Sequence, residues 1–253
     1  MNTETPLFEK NSHNFKAHLK AQRIAIEAAG LMIHQTHGPW RWPPRDTTVT
    51  DCIERFEKMA RSIEGAAILG SKHFIIHTIM SFGIDDHGHE RETYDLNLDF
   101  MGKLCRVGQE NGVTICFENI PMPDLSLASV PSIFNFAKTI NNNYFKVCLD
   151  TGHCTMFNQS PADAVRLIGR EYLYSLHIHD NDGVKDQHKN PFSGVIDWTD
   201  FGKALNEIGY QGVISLETSV PSTIPDVLRD HEEIGLYRKA RYIAALASGE
   251  SFL

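Results

Sequence analysis

The sequence predicts a single α/β domain in which parallel strands alternate with helices, as in a (β/α) barrel. Short apolar runs of strand type alternate with longer segments of helical period. Most of the apolar runs are continuous rather than alternating, which is typical of strands covered on both faces. The length of 253 residues suits one barrel-sized domain, which we take to span residues 1–253.

The apolar runs predict six strands, at 31–37, 73–79, 113–119, 145–150, 173–179 and 212–217. Helical periods predict helices near 14–29, 49–69, 92–111, 129–141, 161–170, 199–208 and 224–246. A glycine that could form a left-handed cap follows four of the helical stretches, at Gly30, Gly70, Gly112 and Gly209. A doubly wound open sheet is the alternative fold, but no glycine-rich phosphate-binding sequence opens any helix.

The predicted strands number six, whereas a closed barrel of this kind has eight. Residues 1–13 are too polar for a strand, and the first predicted helix leads directly into the run at 31–37. The first two βα units of a barrel are therefore missing from the pattern. We expect an incomplete barrel, or a gap filled by residues 1–13, by a partner chain or by an absent N-terminal segment. A shortened gene start is the simplest cause.

The composition indicates a cytoplasmic protein. The 24 basic residues against 32 acidic ones argue against a nucleic-acid partner, because such binding depends on an excess of Lys and Arg. No apolar run is long enough to cross a bilayer, and the N-terminus lacks the pattern of a signal peptide. Five cysteines at irregular spacings do not suggest a disulfide framework, and we expect Cys116 and Cys148 to be buried thiols.

A metal-binding type of side chain stands at the C-terminal end of each predicted strand, where the active site of an α/β barrel lies. Any one of them has a simpler explanation, such as a core histidine, a structural ion pair or a helix cap. Their recurrence at every strand end is what predicts a site. Imidazoles and carboxylates bind divalent metals, and several converging buried carboxylates imply a cation or a shared proton. These side chains are His37, His77, Glu118, Asp150, His177 and Glu217.

Further candidates lie beside these strand ends. His153 follows Asp150 by three residues, and Asp186 with His188 follows the fifth strand. Of His177 and His179, we expect one to face the barrel interior and the other the helices. We assign His177 as the ligand because Leu176 and Ile178 would flank it on the other face.

Five short motifs together resemble those of the xylose-isomerase-like TIM-barrel superfamily. They are Phe-Glu-Asn (117–119), Leu-Asp-Thr-Gly-His (149–153), Leu-His-Ile-His-Asp-Asn (176–181), Asp-Gln-His (186–188) and Leu-Glu-Thr (216–218). The superfamily includes sugar isomerases and epimerases, hydroxy-keto acid isomerases, inosose dehydratases and the second family of apurinic endonucleases. The likeness runs from about residue 31 to 246. The chain departs from the family at its start, where the first two strands have no counterpart.

The resemblance implies one divalent ion (Mn, Zn, Mg or Co) held by Glu118, Asp150, His177 and Glu217. It further implies that Glu118 and Glu217 exchange protons with the substrate. In the endonuclease branch, residues matching His37 and His77 join the first glutamate around a second metal, and residues matching His153, Asp186 and His188 hold a third. All of these residue types are present here. They could equally hydrogen-bond a substrate.

The leading hypothesis is a metal-dependent enzyme of carbohydrate metabolism, a sugar isomerase or epimerase. Its two glutamates would move a carbon-bound proton of a hydroxy-carbonyl substrate through an enediolate. One alternative is an apurinic endonuclease or phosphodiesterase with three metal ions, which the acidic composition disfavours. Another is a relative that binds metal or sugar but has lost catalysis. We expect a small sugar-like partner and no membrane partner, and a homo-oligomer stays open.

Overall fold

The computed structural model of the protein describes residues 14–41 and 46–250. Its contacts divide the chain into two compact units. The first comprises Met1–Glu118, Asp124–Ala128 and Ser132–Val147, and the second Asn119–Pro123, Ser129–Pro131 and Cys148–Leu253. Residues 1–13, which we considered as a filler of the barrel gap, lie outside the described residues. One domain over residues 1–253 stays a prediction, because a division by contacts does not show whether a unit folds alone.

The first unit contains parallel strands that follow one another in chain order, with a helix between successive strands. Its strands are β1 (Gln35–His37), β2 (His73–Ile76), β3 (Thr114–Glu118) and the start of β4 (Phe145–Asp150), in that order in the sheet. Its helices are α1 (Phe15–Ala28), α2 (Val49–Leu69), α3 (Glu90–Asn111) and most of α4 (Val130–Ile140). In register, His37 pairs with Ile75, and Ile76 pairs with Phe117.

Local signals in the sequence set the helix ends in this unit. The hydroxyl of Thr48 accepts a hydrogen bond from the backbone of Asp51 and so caps the start of α2. The helix ends at Gly70, whose φ of 87° places it in the left-handed region that favours glycine. Gly112 ends α3 in the same way, with a φ of 65°. The predicted caps are thereby confirmed at these two positions.

An aromatic cluster fixes β3 just before its last residue. Phe117 is fully buried and packs on Phe136 and Phe145, with ring centroids 5.2 and 5.6 Å apart respectively. Rings of this kind each bury a large apolar area, and offset pairs add to that stabilisation. The neighbouring Cys116 is also fully buried. Glu118 therefore follows directly on a rigid, water-free segment.

The second unit holds the end of β4, followed in the sheet by β5 (Leu173–His177). Its helices are α5 (Thr151–Thr155), α6 (Pro161–Tyr172), α7 (Trp198–Glu207) and α8 (Asp226–Ser248). Ser160 caps α6 and is followed by a proline at the first helical position. The sequence did not predict α5, because a five-residue helix is too short to show a helical period.

A buried carboxylate organises the long connection after β5. Asp180 is fully buried and accepts hydrogen bonds from the backbone of Gly194 and Ile196 and from the indole of Trp198. Several donors around one carboxylate offset the cost of removing it from water. These hydrogen bonds join the end of β5 to the start of α7. They thereby keep the intervening residues 182–193 near the end of β5.

The sixth predicted strand, 212–217, is reduced to a single parallel bridge between Ile178 and Leu216. Glu217 donates a backbone hydrogen bond to Ile178, at 2.9 Å. Further back, the hydroxyl of Tyr210 lies 3.5 Å from the carbonyl oxygen of Tyr174 and 3.4 Å from that of Val213. A side chain thus stands where a strand ladder would continue, which accounts for the short pairing.

Two further features of the described residues concern the burial of cysteines and the length of the helices. Cys116 and Cys148 are buried, as predicted. None of the helices in the described part of the chain is long and apolar enough to span a bilayer.

A pair of histidines in the first unit predicts an acid-sensitive stability. Nδ1 of His73 lies 3.3 Å from Nε2 of His34, and the two rings pack edge to face. Burial, and then the charge of the second imidazole, lowers the pKa of His73 to about 4. His73 therefore binds a proton in the unfolded chain at a higher pH than in the folded one. Its contribution to stability is present above about pH 6.5 and is lost as the pH falls towards about 4.

We expect His73→Gln to flatten the pH dependence of the urea midpoint between about pH 6.5 and about pH 4. His231→Gln, on the exposed side of α8, serves as the matched control and should keep the wild-type slope. If the His73→Gln variant kept the wild-type pH dependence, a group other than His73 would be responsible for the acid sensitivity.

Candidate metal centre

Three ligand-type side chains of the first unit meet at the ends of neighbouring strands. His37 ends β1, His77 follows β2, and Glu118 ends β3. Oε2 of Glu118 lies 2.9 Å from Nε2 of His77 and 3.4 Å from Nε2 of His37. The two Nε2 atoms are 3.3 Å apart, and the rings are inclined by 72°. The three donor atoms therefore face a common point, as the ligands of a cation do.

A backbone contact fixes which nitrogen of His37 faces this point. Nδ1 of His37 lies 2.8 Å from the carbonyl oxygen of Gly38, so Nδ1 carries the proton and donates it. The lone pair of Nε2 is then directed at Glu118 and His77. Metal-binding histidines are oriented in this way by a hydrogen bond from the other ring nitrogen.

In the second unit, three further strand-end residues bring their ligand atoms within 4.8 Å of one another: Asp150, His177 and Glu217. Oε2 of Glu217 lies 2.9 Å from Nδ1 of His177. That oxygen is nevertheless buried without a hydrogen-bond partner among the described residues, so the short distance is not an aligned hydrogen bond. Two donor atoms that lie close together but do not hydrogen-bond fit two ligands of one cation.

A second cluster in this unit surrounds Asp186. Its Oδ2 lies 3.4 Å from Nε2 of His153 and 3.3 Å from Nε2 of His188. The other ring nitrogen of each histidine lies 2.8 Å from a backbone carbonyl oxygen, that of Asn119 for His153 and that of Glu217 for His188. Both imidazoles therefore direct Nε2 at the carboxylate, in the arrangement also seen for His37.

In this second cluster the carboxylate of Asp186 and the imidazole of His188 shift each other's pKa values in favour of their charged forms. Burial by itself would raise the pKa of Asp186, but the hydrogen bonds and charges of His153 and His188 outweigh it and hold that pKa well below its usual range. The hydrogen bond with Asp186 raises the pKa of His188 to about 9, against the opposing effect of burial. A divalent cation bound here would have to displace the proton of His188.

His179 does not face the helices, so our expectation for the pair at 177 and 179 was wrong. Residues two apart along an extended chain point to the same face, and both histidines accordingly lie among the site residues. The side chain of His179 is fully buried, with Nε2 3.0 Å from the carboxylate of Asp150. The His-x-His spacing was the sequence signal that should have identified it.

The predicted site residues thus form three groups, and the members of each group all belong to the same unit. His37 and His77 accompany Glu118 in the first, whereas the second brings Asp150 together with His177 and Glu217. His153, Asp186 and His188 also lie together in the second. A single ion shared by Glu118, Asp150, His177 and Glu217 would draw on both units and stays a prediction, as does a common cavity around all of these residues.

A glycine in the Leu-Asp-Thr-Gly-His motif makes room for His179. A Cβ atom added at Gly152 would overlap the imidazole of His179. We expect Gly152→Ala to lower the free energy of unfolding by about 1–3 kcal/mol, because a ring held on all sides cannot move away. Gly235→Ala is the matched control, since nothing lies within 4 Å of its added Cβ in α8. Its helix should gain rather than lose stability. Equal effects of both substitutions in chemical denaturation would contradict the close approach.

Parallel strands joined by helices, with histidines and carboxylates at the strand ends, are typical of TIM-barrel proteins that bind a metal ion. More particularly, residues 2–241 match the family model described as xylose isomerase-like TIM barrel, and the chain belongs to that family. The family resemblance of the five motifs is thereby confirmed, as is a TIM-barrel-like fold. The described residues form five strands of it, fewer than the eight of a closed barrel.

Curated relatives include both uncharacterised proteins and sugar epimerases. An uncharacterised protein of Methanocaldococcus jannaschii is 27% identical over 179 residues, which cover 70% of this chain and 59% of that protein. A D-psicose 3-epimerase of Ruminiclostridium cellulolyticum is 28% identical over 128 residues, 50% of this chain and 42% of the enzyme. The matched part of the chain thus spans about half the length of these relatives.

Solved structures show the same fold at low identity. A D-tagatose 3-epimerase-like protein superposes with a TM-score of 0.73 and 23% identity, over 91% of this chain and 83% of the other. The IolI protein with a bound zinc atom superposes with a TM-score of 0.71 and 16% identity, over 93% of this chain and 83% of the other. A protein of this fold therefore holds a divalent metal, and the present chain has groups of residues suited to one.

Proposed function

We propose that the protein is a divalent-metal-dependent isomerase or epimerase acting on a sugar or sugar-like hydroxy-carbonyl compound. The observation that carries the proposal is the group of Asp150, His177 and Glu217, with its short, unaligned contact between a buried carboxylate oxygen and an imidazole nitrogen. Relatives that are sugar epimerases support the class of substrate.

In this proposal Asp150, His177 and Glu217 hold the ion, and the family motif adds Glu118 as the fourth ligand. A bound divalent ion would supply Lewis-acid polarisation of the substrate carbonyl. The two glutamates carry out the proton transfer. One removes the proton from the carbon next to the carbonyl, and the other returns a proton to the opposite face or to the adjacent carbon.

The two glutamates have different surroundings, which suits different roles in proton transfer. Glu118 is 1% exposed and its Oε2 lies close to the imidazoles of His37 and His77, so that a proton on this carboxylate is shielded from solvent. The Glu217 side chain is 38% exposed and can exchange a proton with solvent. Within this scheme, His37, His77, His153, Asp186 and His188 hydrogen-bond the substrate hydroxyls.

Conservative substitution of the glutamates tests the proton-transfer role. Glu118→Gln and Glu217→Gln should each lower turnover by at least about 10²–10⁴-fold, because the amide cannot accept the substrate proton. The assay follows deuterium incorporation from heavy water into D-psicose and D-fructose, D-tagatose and related ketoses. Asp226→Asn, at the exposed start of α8, is the matched control and should keep wild-type exchange.

Metal content must be measured on the same samples. A Glu→Gln variant that still binds metal and turns over near the wild-type rate would remove that glutamate from proton transfer. Wild-type protein that binds metal but exchanges no proton of any ketose would point instead to a binding protein that has lost catalysis.

A second candidate function is phosphodiester hydrolysis with three metal ions. It is favoured by the group of His37, His77 and Glu118 and by the group around Asp186, because the histidines at 37, 153 and 188 all direct Nε2 inward. The net charge of −8 opposes a DNA substrate, since phosphate contacts need cations on the protein.

The number of bound ions separates the two functions. We expect plasma mass spectrometry of protein purified without chelator to find one divalent ion per chain. Three ions per chain, together with cleavage of DNA that contains an abasic site, would favour hydrolysis and contradict the epimerase proposal. Protein reloaded with Mn²⁺ or Zn²⁺ after chelation provides the control for loss of metal during purification.

A further inference from the structure

His179 lies in the Leu-His-Ile-His-Asp-Asn motif, but the family resemblance assigns it no ligand role. Its side chain is fully buried, and its Nε2 lies 3.0 Å from Asp150 and 3.8 Å from Oδ1 of Asp186. By distance alone it could be a further metal ligand beside Asp186 or a hydrogen-bond donor to Asp150. The orientation of its ring decides between the two.

The ring of His179 lies parallel to that of His188, with centroids 4.0 Å apart and an angle of 9° between the planes. The lone pair of an imidazole nitrogen lies in the plane of its ring. Two parallel stacked rings therefore direct their lone pairs side by side rather than at one point. His153 and His188, inclined by 82°, do not have this restriction. His179 is consequently poorly placed to share an ion with His188.

The contact of His179 with Asp150, in contrast, has the geometry of a hydrogen bond. Nε2 lies 3.0 Å from both carboxylate oxygens, a distance suited to a charge-assisted hydrogen bond. The backbone on either side of this contact is also held. Thr151 accepts a hydrogen bond from the backbone N–H of His179 and donates one to its carbonyl oxygen, at 3.1 and 2.7 Å. Gly152 packs closely against the imidazole and blocks its displacement in that direction.

We propose that His179 is a positioning residue, which donates from Nε2 to Asp150 and orients that carboxylate for the divalent ion without binding the ion itself. The inference rests on the proposed function, in which Asp150 is a ligand. The stacked ring of His188 and the close backbone of Gly152 hold the imidazole in the donating orientation. Partners that orient a ligand in this way are typically worth about 10–100-fold in metal affinity.

The test titrates metal-free protein with Mn²⁺ and with Zn²⁺ and compares His179→Leu with His179→Gln. Leucine and glutamine have similar volumes, but only glutamine offers an N–H donor. We expect His179→Leu to weaken binding of the ion by about 10–100-fold with no change in the number of ions, and His179→Gln to recover most of the affinity. His231→Leu, on the exposed side of α8, is the control for loss of a histidine.

Two results would overturn the proposal. Loss of one whole ion in His179→Leu, with unchanged affinity for the rest, would make His179 a ligand. Equal losses in the leucine and glutamine variants would reduce its role to packing.

Imidazole ¹⁵N spectra of the metal-free protein give a readout that does not depend on metal binding. We expect His179 to carry its proton on Nε2, with a proton resonance that moves upfield in Asp150→Asn because a neutral amide replaces the carboxylate acceptor. A proton on Nδ1 of His179 would contradict the positioning role. Wild-type protein that binds neither ion would defeat the proposed function, whereas the spectra would still decide whether His179 donates to Asp150.

Discussion

Carboxylates buried at the ends of apolar strands are the constraint on which the rest of the site depends. Glu118 is 1% exposed and Asp150 is fully buried, and each follows a run of apolar residues that excludes water. An isolated negative charge in such surroundings would be too costly, so every such carboxylate must have donors around it. Nε2 of His77 lies 2.9 Å from Glu118 and Nε2 of His179 lies 3.0 Å from Asp150, and both can donate to these carboxylates. The other histidines close to the carboxylates make each group suitable for a cation.

Backbone carbonyl groups provide the next level of organisation. His37, His153 and His188 each direct Nδ1 at a carbonyl oxygen, so that Nε2 is left to face a carboxylate. Because a main-chain carbonyl oxygen lies at Nδ1 in all three cases, the orientation of these rings is set by the fold. The fold therefore orders these imidazoles before any ligand arrives, and less free energy is needed to organise them on binding.

Much of this arrangement could be predicted from the sequence, because strand ends are marked by the last residue of a continuous apolar run. His37 and Asp150 are the final residues of β1 and β4, as predicted, and Glu118 and His177 end β3 and β5 within two residues of the predicted strand ends. The carbonyl partner of His153 could not be predicted, because Asn119 is 34 residues away in the chain and no local pattern records the contact. The role of His179 was missed because we applied the alternation of strand side chains with the wrong period. The helix α5 was missed because five residues show no helical period, and its cap, Asp150, was interpreted as a candidate metal ligand.

The single bridge between Ile178 and Leu216 also bears on solubility. Strand segments with many consecutive unpaired N–H and C=O groups are templates on which other chains can add and aggregate. The segment at 212–217 pairs with its neighbour at one point, and the hydroxyl of Tyr210 stands beside Val213 where the ladder would continue. Such a segment presents no regular ladder for an incoming strand to extend. A tyrosine hydroxyl, rather than a charged or proline residue, thus protects this side of the sheet against strand addition.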